Sequence, residues 1–282
     1  MHDRISVSAI STFDWPLEQD LSFYAGSGIT NVGISVAKLE RHGWDDGTAR
    51  VVDAGLRVTN LIGLGPFHLA TPERWERQRE RLVRALDTAV AVGAECLVFT
   101  TGPAGPLSWE EAADALKEAL APVLREAEAR GVPFAIEHTN SLRVDVGFVH
   151  TLADDVDLAR RLCTGVCMEV NACWAERGLA ATIDAGVDTL RLVQVSDFRV
   201  GTLSTPNRLV PGDGDIPLEG ILGRVLAAGY VGCFDLELIG PAIEAEGYAA
   251  AVHRSVDRLT ELLDSLDAGL AVTQRSGVTR PR

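Results

Sequence analysis

Residues 95–138 contain a pattern that repeats along the whole chain. The apolar run ECLVFT (95–100) is followed by the helical segment SWEEAADALKEALAPVLREAEARG (108–131) and then by a second apolar run, PFAIEH (133–138). Ser108 and Glu111 have the spacing of a capping box, which predicts a helix start, and Gly131 predicts its end. A β-rich run, a helix and another β-rich run in this order are typical of a parallel sheet covered by helices.

Runs of the same kind occur eight times in the chain. They are ISVSAI (5–10), TNVGIS (30–35), RVTNLI (57–62), ECLVFT (95–100), PFAIEH (133–138), GVCMEV (165–170), LRLVQVS (190–196) and CFDLEL (233–238). Eight such units in 282 residues predict an α/β protein with a single-domain (β/α)8 barrel. The alternative is an open, doubly wound sheet. Against it, STFDWP (11–16) follows the first run in place of a glycine-rich phosphate-binding turn.

The predicted domain covers residues 1–266, because the last helical segment is expected to end near Asp267. The remaining residues, 267–282, are mostly polar and have little to bury. We therefore expect a C-terminal tail that is flexible or that contacts a partner subunit in a homo-oligomer.

Composition and charge exclude several classes of protein. With 46% apolar and 23% charged residues, the chain is expected to bury a substantial core. The net charge, 26 − 40 = −14, opposes binding to nucleic acid or to an anionic membrane. The N-terminal apolar run is too short and too polar for a signal peptide, and five cysteines, mostly in strand-like runs, suit reduced thiols. A cytoplasmic protein is predicted.

Four of the predicted strands end in an acidic residue: Glu137, Glu169, Asp197 and Glu237. In a barrel of this type the carboxyl ends of the strands meet at one mouth, where the chemistry takes place. One glutamate after a strand is commonly a capping or ion-pair residue, but four acidic residues on successive strands predict a shared functional site. A divalent cation would relieve the charge of such a ring, and oxygen ligands favour Mg²⁺ or Mn²⁺.

The most specific motif is VQVSDFRVGTLSTPNRLVPGDGDIP (193–217), and it resembles a pattern of the sugar-phosphate isomerase/epimerase-like family, the xylose-isomerase-like barrels. That pattern is His-x-x-Asp, a variable loop, Arg and then Pro-Gly-x-Gly-Asp. The matching residues here are Asp197, Arg208, Pro211, Gly212, Gly214 and Asp215. The likeness covers most of the chain and is densest between Pro133 and Pro241.

The resemblance implies a metal site. Glu137 and Glu237 match the two glutamates that hold the metal in metal-binding members of the family. Glu169 stands where Asp is usual, and Gln194 stands where His is usual, although its carbonyl oxygen suits a hard cation. The implied ligands of a Mn²⁺ or Mg²⁺ ion are thus Glu137, Glu169, Gln194 and Glu237, and the alternative is a metal-free site built from the same residues.

The resemblance also implies an activity, that of a sugar or polyol isomerase or epimerase acting by metal-assisted proton transfer next to a carbonyl. The residues that would carry it are Glu137 and Glu237 as acid and base, with His68, Arg208, Trp15 and Trp174 as substrate contacts. One alternative is a lyase, a dehydratase or a C-glycoside-cleaving relative acting on a keto-sugar. Another is a barrel that binds a sugar-like ligand without turning it over.

Overall fold

A computed structural model describes residues 1–276 of the chain, with side chains to residue 269. Eight parallel strands close into a barrel in chain order, so the predicted (β/α)8 architecture is confirmed. The strands are β1 (Ile5–Ser8), β2 (Asn31–Ser35), β3 (Arg57–Ile62), β4 (Leu97–Thr100), β5 (Phe134–Glu137), β6 (Gly165–Glu169), β7 (Leu190–Val195) and β8 (Phe234–Leu236). Each lies within the run that predicted it.

Helices surround the barrel. They are α1 (Leu17–Ser27), α2 (Val36–His42), α3 (Trp44–Asp53), α4 (Trp75–Val92), α5 (Trp109–Arg130), α6 (Leu152–Leu162), α7 (Val170–Cys173), α8 (Leu179–Gly186), α9 (Leu218–Ala227), α10 (Pro241–Glu246) and α11 (Tyr248–Ser276). Short 3₁₀ helices span Ala9–Thr12, Pro72–Arg74 and Val187–Thr189. In the stretch from residue 1 to residue 276, no helix is both long enough and apolar enough to cross a membrane.

Helix α5 begins and ends where its capping residues predict. The Ser108 hydroxyl accepts the backbone N–H of Glu111, and the Glu111 carboxylate accepts the backbone N–H of Ser108. Gly131 follows the helix with φ 71°, a left-handed conformation that costs glycine little. This end turns the chain directly into β5, which carries the first of the strand-end glutamates.

Helix α11 runs on to Ser276, so the prediction that it ends near Asp267 is wrong. No proline follows Asp267 before residue 276, and a single glycine, Gly269, costs a helix only about 1 kcal/mol. Residues 277–282 of the predicted tail lie outside the described residues. The division at residue 266 and the role of the tail in a homo-oligomer stay predictions.

The barrel interior contains a small apolar layer, formed by Ile62, Cys96, Val98, Ala135, Cys167, Leu192 and Cys233. All five cysteines are free, and of these only Cys163 is exposed, as expected for reduced thiols. Side chains two residues apart on a strand point to the same face. The side chains two positions further along β5, β6 and β7 therefore also point into the interior, one layer nearer the carboxyl ends of the strands. They follow Ala135, Cys167 and Leu192 and are Glu137, Glu169 and Gln194. Asp235 and Glu237 follow Cys233 at the same spacing, so their side chains also point into the interior.

Candidate active site

Three buried glutamates meet at the carboxyl end of the barrel. Glu137 ends β5, Glu169 ends β6, and Glu237 directly follows β8. One carboxylate oxygen from each lies within 4.8 Å of the others. The cavity between them has a volume of about 190 Å³. The structure therefore brings together three of the four strand-end acids in one pocket.

Arg208 supplies a positive charge to this cluster. Its Nη1 atom lies 2.8 Å from Oε2 of Glu169 and 3.0 Å from Oε1 of Glu237. The same nitrogen donates to the backbone oxygen of Glu237 at 3.0 Å. The Arg208 side chain is only 14% exposed, so solvent screens these ion pairs weakly. Burial works against the charged guanidinium, but the surrounding glutamates outweigh it and raise the pKa of Arg208.

The environment raises the pKa of two of the glutamates. Burial raises the pKa of Glu137 well above its ordinary value, and the nearby charges of Glu237 and Glu169 raise it further. Burial also raises the pKa of Glu237 to about 7, although Arg208 acts in the opposite direction. A carboxyl group with a pKa of about 7, such as Glu237, can both release and accept a proton near neutral pH.

Gln194 lies next to the glutamate cluster. Its Nε2 atom donates to Oε2 of Glu237. Its Oε1 atom is buried and has no hydrogen-bond partner among the described residues. Three carboxylates and a free amide oxygen are the hard donors that Mg²⁺ and Mn²⁺ prefer. The residues Glu137, Glu169, Gln194 and Glu237 therefore fit the predicted divalent cation by their chemistry.

Asp197, the fourth strand-end acid, does not join the cluster. Its carboxylate instead accepts four backbone N–H groups, at 2.8 Å from Phe198, 2.9 Å from Gly212, 3.0 Å from Gly214 and 3.1 Å from Ile216. The expectation that Asp197 shares the functional site is wrong, because the loop that follows β7 folds back over the carboxylate and saturates it. Asp197 organises the Pro-Gly-x-Gly-Asp turn.

The same loop positions Arg208. Asp197 and Leu209 exchange two backbone hydrogen bonds, of 2.9 and 2.8 Å, which close the loop between them. The backbone N–H of Arg208 donates to the oxygen of Ile239 at 2.9 Å. The loop needs glycine at 214, since a Cβ there would lie 2.3 Å from Oδ1 of Asp197. These contacts place the guanidinium between carboxylates that belong to other strands.

Three predicted substrate contacts lie away from this cavity. His68 is exposed and lines a separate cavity beside α4. Trp15 packs edge-on against Phe23 and Tyr248, with ring centroids 5.3 and 5.7 Å apart. Trp174 packs against the core between barrel and helices. None of the three lines the cavity of the glutamates, so their predicted contacts gain no support.

The cavity is also lined by polar residues that were not predicted from the sequence. These residues are Asn140, Arg143 and Asn171, in segments that follow β5 and β6. Their position just after strand ends is the sequence signal that could have indicated a place in the site. Asp235 was also missed, although it stands two residues before Glu237 and so shares its face of β8. It is fully buried, and burial raises its pKa to about 7, with the charge of Glu237 adding to the effect.

A closed parallel barrel with buried carboxylates and a guanidinium at the carboxyl ends of its strands has the site architecture of a barrel enzyme. Residues 25–265 match the family model of the xylose isomerase-like TIM barrels, and the chain belongs to that family. No curated protein matches the sequence.

Several solved structures share the fold. A protein from Sinorhizobium meliloti 1021 is 26% identical, with a TM-score of 0.80 over 92% of this chain and 98% of its own. The IolI protein, solved with a bound zinc atom, is 15% identical, with a TM-score of 0.80 over 93% and 99%. The 3-keto-D-glucoside 4-epimerase YcjR from E. coli is 18% identical, with a TM-score of 0.69 over 90% and 99%. At such identities the last two establish the fold alone.

Proposed function

We propose that the chain is a sugar or polyol isomerase or epimerase that moves a proton on a carbon next to a carbonyl. One observation carries the proposal: Glu137 and Glu237 are both buried in one cavity, and each has a raised pKa. A carbon acid of this kind needs a base within reach and an acid to return the proton. Two carboxyl groups in one cavity, both with a raised pKa, can supply the base and the acid.

In this proposal Glu137 and Glu237 exchange roles as base and acid. One carboxylate removes the proton, and the other carboxyl group returns a proton. Return to the opposite face of the same carbon inverts its configuration, which is an epimerisation. Return to the neighbouring carbon is an isomerisation. Arg208 orients the substrate oxygen and stabilises the charge that develops on it. Positioned acid–base groups contribute roughly 10²–10⁴-fold, and such electrostatic stabilisation is commonly a larger effect.

A divalent cation fits the same residues. Glu137, Glu169, Gln194 and Glu237 would hold Mn²⁺ or Mg²⁺, and the bound ion would polarise the carbonyl oxygen of the substrate as a Lewis acid. The bound zinc of the IolI structure supports a cation site in this fold. The alternative is a metal-free site, in which Arg208 provides the only positive charge among these five residues.

The cavity suits a small, polar substrate. Its volume of about 190 Å³ is below the range of roughly 300–1,000 Å³ of sites for drug-sized ligands. Asn140, Arg143, Asn171 and Thr205 add hydrogen-bonding groups to the lining. A keto-sugar or polyol with several hydroxyl groups matches this size and polarity, and the sugar epimerase among the similar folds supports that class.

Solvent-deuterium exchange into a panel of keto-sugars tests the proposal. Deuterium incorporation at the carbon next to the carbonyl, with interconversion of two sugars, is the expected result, and it should be lost in Glu237→Gln. Loss of water or of an aglycone from the carbon β to the carbonyl, after removal of the same proton, would replace the isomerase with a lyase. Binding without exchange would leave a non-catalytic sugar-binding barrel. Repeating the assay after chelation and after Mn²⁺ addition distinguishes the metal-dependent from the metal-free site.

A further inference from the structure

A second cluster of potential ligands lies outside the barrel interior. It consists of His138, Cys173 and Glu176, and one ligand atom from each lies within 4.8 Å of the others. The side chains of His138 and Cys173 are fully buried, whereas Glu176 is half-buried. One nitrogen, one sulfur and one carboxylate oxygen therefore converge at a point where, of the three residues, Glu176 alone is partly exposed.

This cluster is distinct from the three glutamates. His138 directly follows Glu137, and successive side chains of an extended chain point in opposite directions. Glu137 points into the barrel, whereas His138 points outward to Asp155 of α6. Cys173 ends the short helix α7, and its thiol is also buried in the layer outside the strands.

The imidazole of His138 is oriented as a metal ligand would be. Its Nδ1 atom lies 3.0 Å from Oδ2 of Asp155, and both side chains are fully buried. Its Nε2 atom is buried and makes no hydrogen bond of normal geometry among the described residues, and the thiol of Cys173 lies beside the ring. A carboxylate on one ring nitrogen, with the other nitrogen left for an ion, is the usual arrangement of metal-binding histidines.

Glu176 also has a carboxylate oxygen that could bind a metal ion. Its Oε1 atom accepts the backbone N–H of Leu152 at 2.8 Å, which holds the side chain against the start of α6. The second carboxylate oxygen remains for another partner. Its half-exposed side chain provides the route by which an ion and a water molecule would enter.

We propose that His138 Nε2, Cys173 Sγ and the Glu176 carboxylate bind Zn²⁺, with Asp155 orienting the imidazole. A nitrogen, a thiolate and a carboxylate are the ligand types of zinc, and a water molecule completes four-coordination. Mg²⁺ and Mn²⁺ prefer the oxygen donors of the glutamate cluster. The zinc site ties the end of β5, the helix α6 and the segment after β6 to one another, so its occupation stabilises the fold.

Titration with Co²⁺ in the presence of excess Mg²⁺ tests the proposal, because cobalt substitutes for zinc and a thiolate ligand produces a near-ultraviolet charge-transfer band. We expect this band in the full-length protein, whether Co²⁺ is added to the folded chain or is present during refolding from urea. Zn²⁺ should displace the cobalt and abolish the band. A band absent under both loading conditions would mean that the imidazole only hydrogen-bonds to the thiol, and it would overturn the proposal.

Variants identify the ligands. Cys173→Ser should lose the band, whereas Cys163→Ser, which changes the exposed thiol, and Glu237→Gln, which changes the other cluster, should keep it. Asp155→Asn should weaken Co²⁺ binding by roughly 10–100-fold, the usual effect of removing an orienting partner. Should Cys173→Ser fail to fold, as judged by circular dichroism, Glu176→Gln replaces it, with binding weakened by at least about tenfold. A band that survives in a folded Cys173→Ser protein, or disappears in Cys163→Ser, contradicts the assignment.

Discussion

Arg208 Nη1 lies 2.8 Å from Oε2 of Glu169, although the loop after β7 supplies the arginine and β6 supplies the glutamate. The guanidinium is also paired with Glu237, so one positive charge faces three carboxyl groups in a buried cavity. Full ionisation of all three would leave net negative charge in a low-dielectric site, which is costly. Burial and this crowding of negative charge raise the pKa values of Glu137 and Glu237, which favours the protonated form of each carboxyl group.

Glu237→Gln is expected to lower turnover by at least about 10²-fold with the fold intact, because the amide cannot exchange a proton with the substrate. The measurement is kcat on the keto-sugar identified by deuterium exchange, with circular dichroism as the check on folding. Glu219→Gln makes the same chemical change on the surface and should leave kcat unaltered. A fully active Glu237→Gln protein would remove this residue from the proposed mechanism.

Arg208→Gln is expected to destabilise the protein by roughly 3–5 kcal/mol, because it leaves the buried carboxylates of Glu169 and Glu237 without their cation. Urea unfolding at neutral pH measures the change. Arg199→Gln, in the same loop but exposed, serves as the control and should alter the free energy of unfolding by no more than about 0.5 kcal/mol. Equal stability of the two variants would contradict the idea that Arg208 neutralises the cluster.

Asp235→Asn is expected to change how stability depends on pH. The folded-state pKa of Asp235 is raised to about 7 by burial, above its ordinary value of 3.8, so the folded protein binds more protons than the unfolded chain between these pH values. Its contribution is therefore present below about pH 4 and is lost as pH rises towards 7. Asparagine does not titrate, and the variant should show a smaller decrease over this range, by on the order of 1–4 kcal/mol.

Unfolding free energies from urea titrations at a series of pH values between 4 and 7 measure this effect. Asp215→Asn, an exposed carboxyl group, is the matched control and should keep the pH dependence of the wild type. Parallel curves for wild type and Asp235→Asn would show that Asp235 titrates alike in the folded and unfolded states.

Asp197→Ala is expected to loosen the loop that carries Arg208, because four backbone N–H groups lose their shared acceptor. Hydrogen bonds to a charged group contribute about 1.5–3 kcal/mol each and are not additive, so a loss of at least about 3 kcal/mol is expected. Urea unfolding and amide hydrogen exchange at Gly212 and Gly214 measure the two effects. Asp215→Ala removes an acceptor of the Val200 N–H and should cost less. Unchanged protection of both glycine amides would contradict the role of Asp197.

Strand positions and both ends of α5 follow from local chemistry. The alternation of β-rich runs with segments of helical period predicts all eight strands, and the Ser108–Glu111 capping box predicts the start of α5. The predicted end of α11 was wrong, since helix propensity alone carries the chain past Asp267 when no strong stop signal follows. Strand ends also predict which glutamates approach one another, because parallel strands of a barrel finish at the same edge.

The order of the elements and the acids at the strand ends are thus encoded within short stretches of the chain, where backbone geometry and side-chain period act over a few residues. Barrel closure and loop folding decided which of those acids share a cavity. Asp197 became a loop anchor because its nearest donors are backbone N–H groups that the folded loop supplies, and Arg208 entered the cavity through contacts with Leu209 and Ile239. Such pairings join residues that are distant in sequence, and no local pattern specifies the direction in which a loop side chain points.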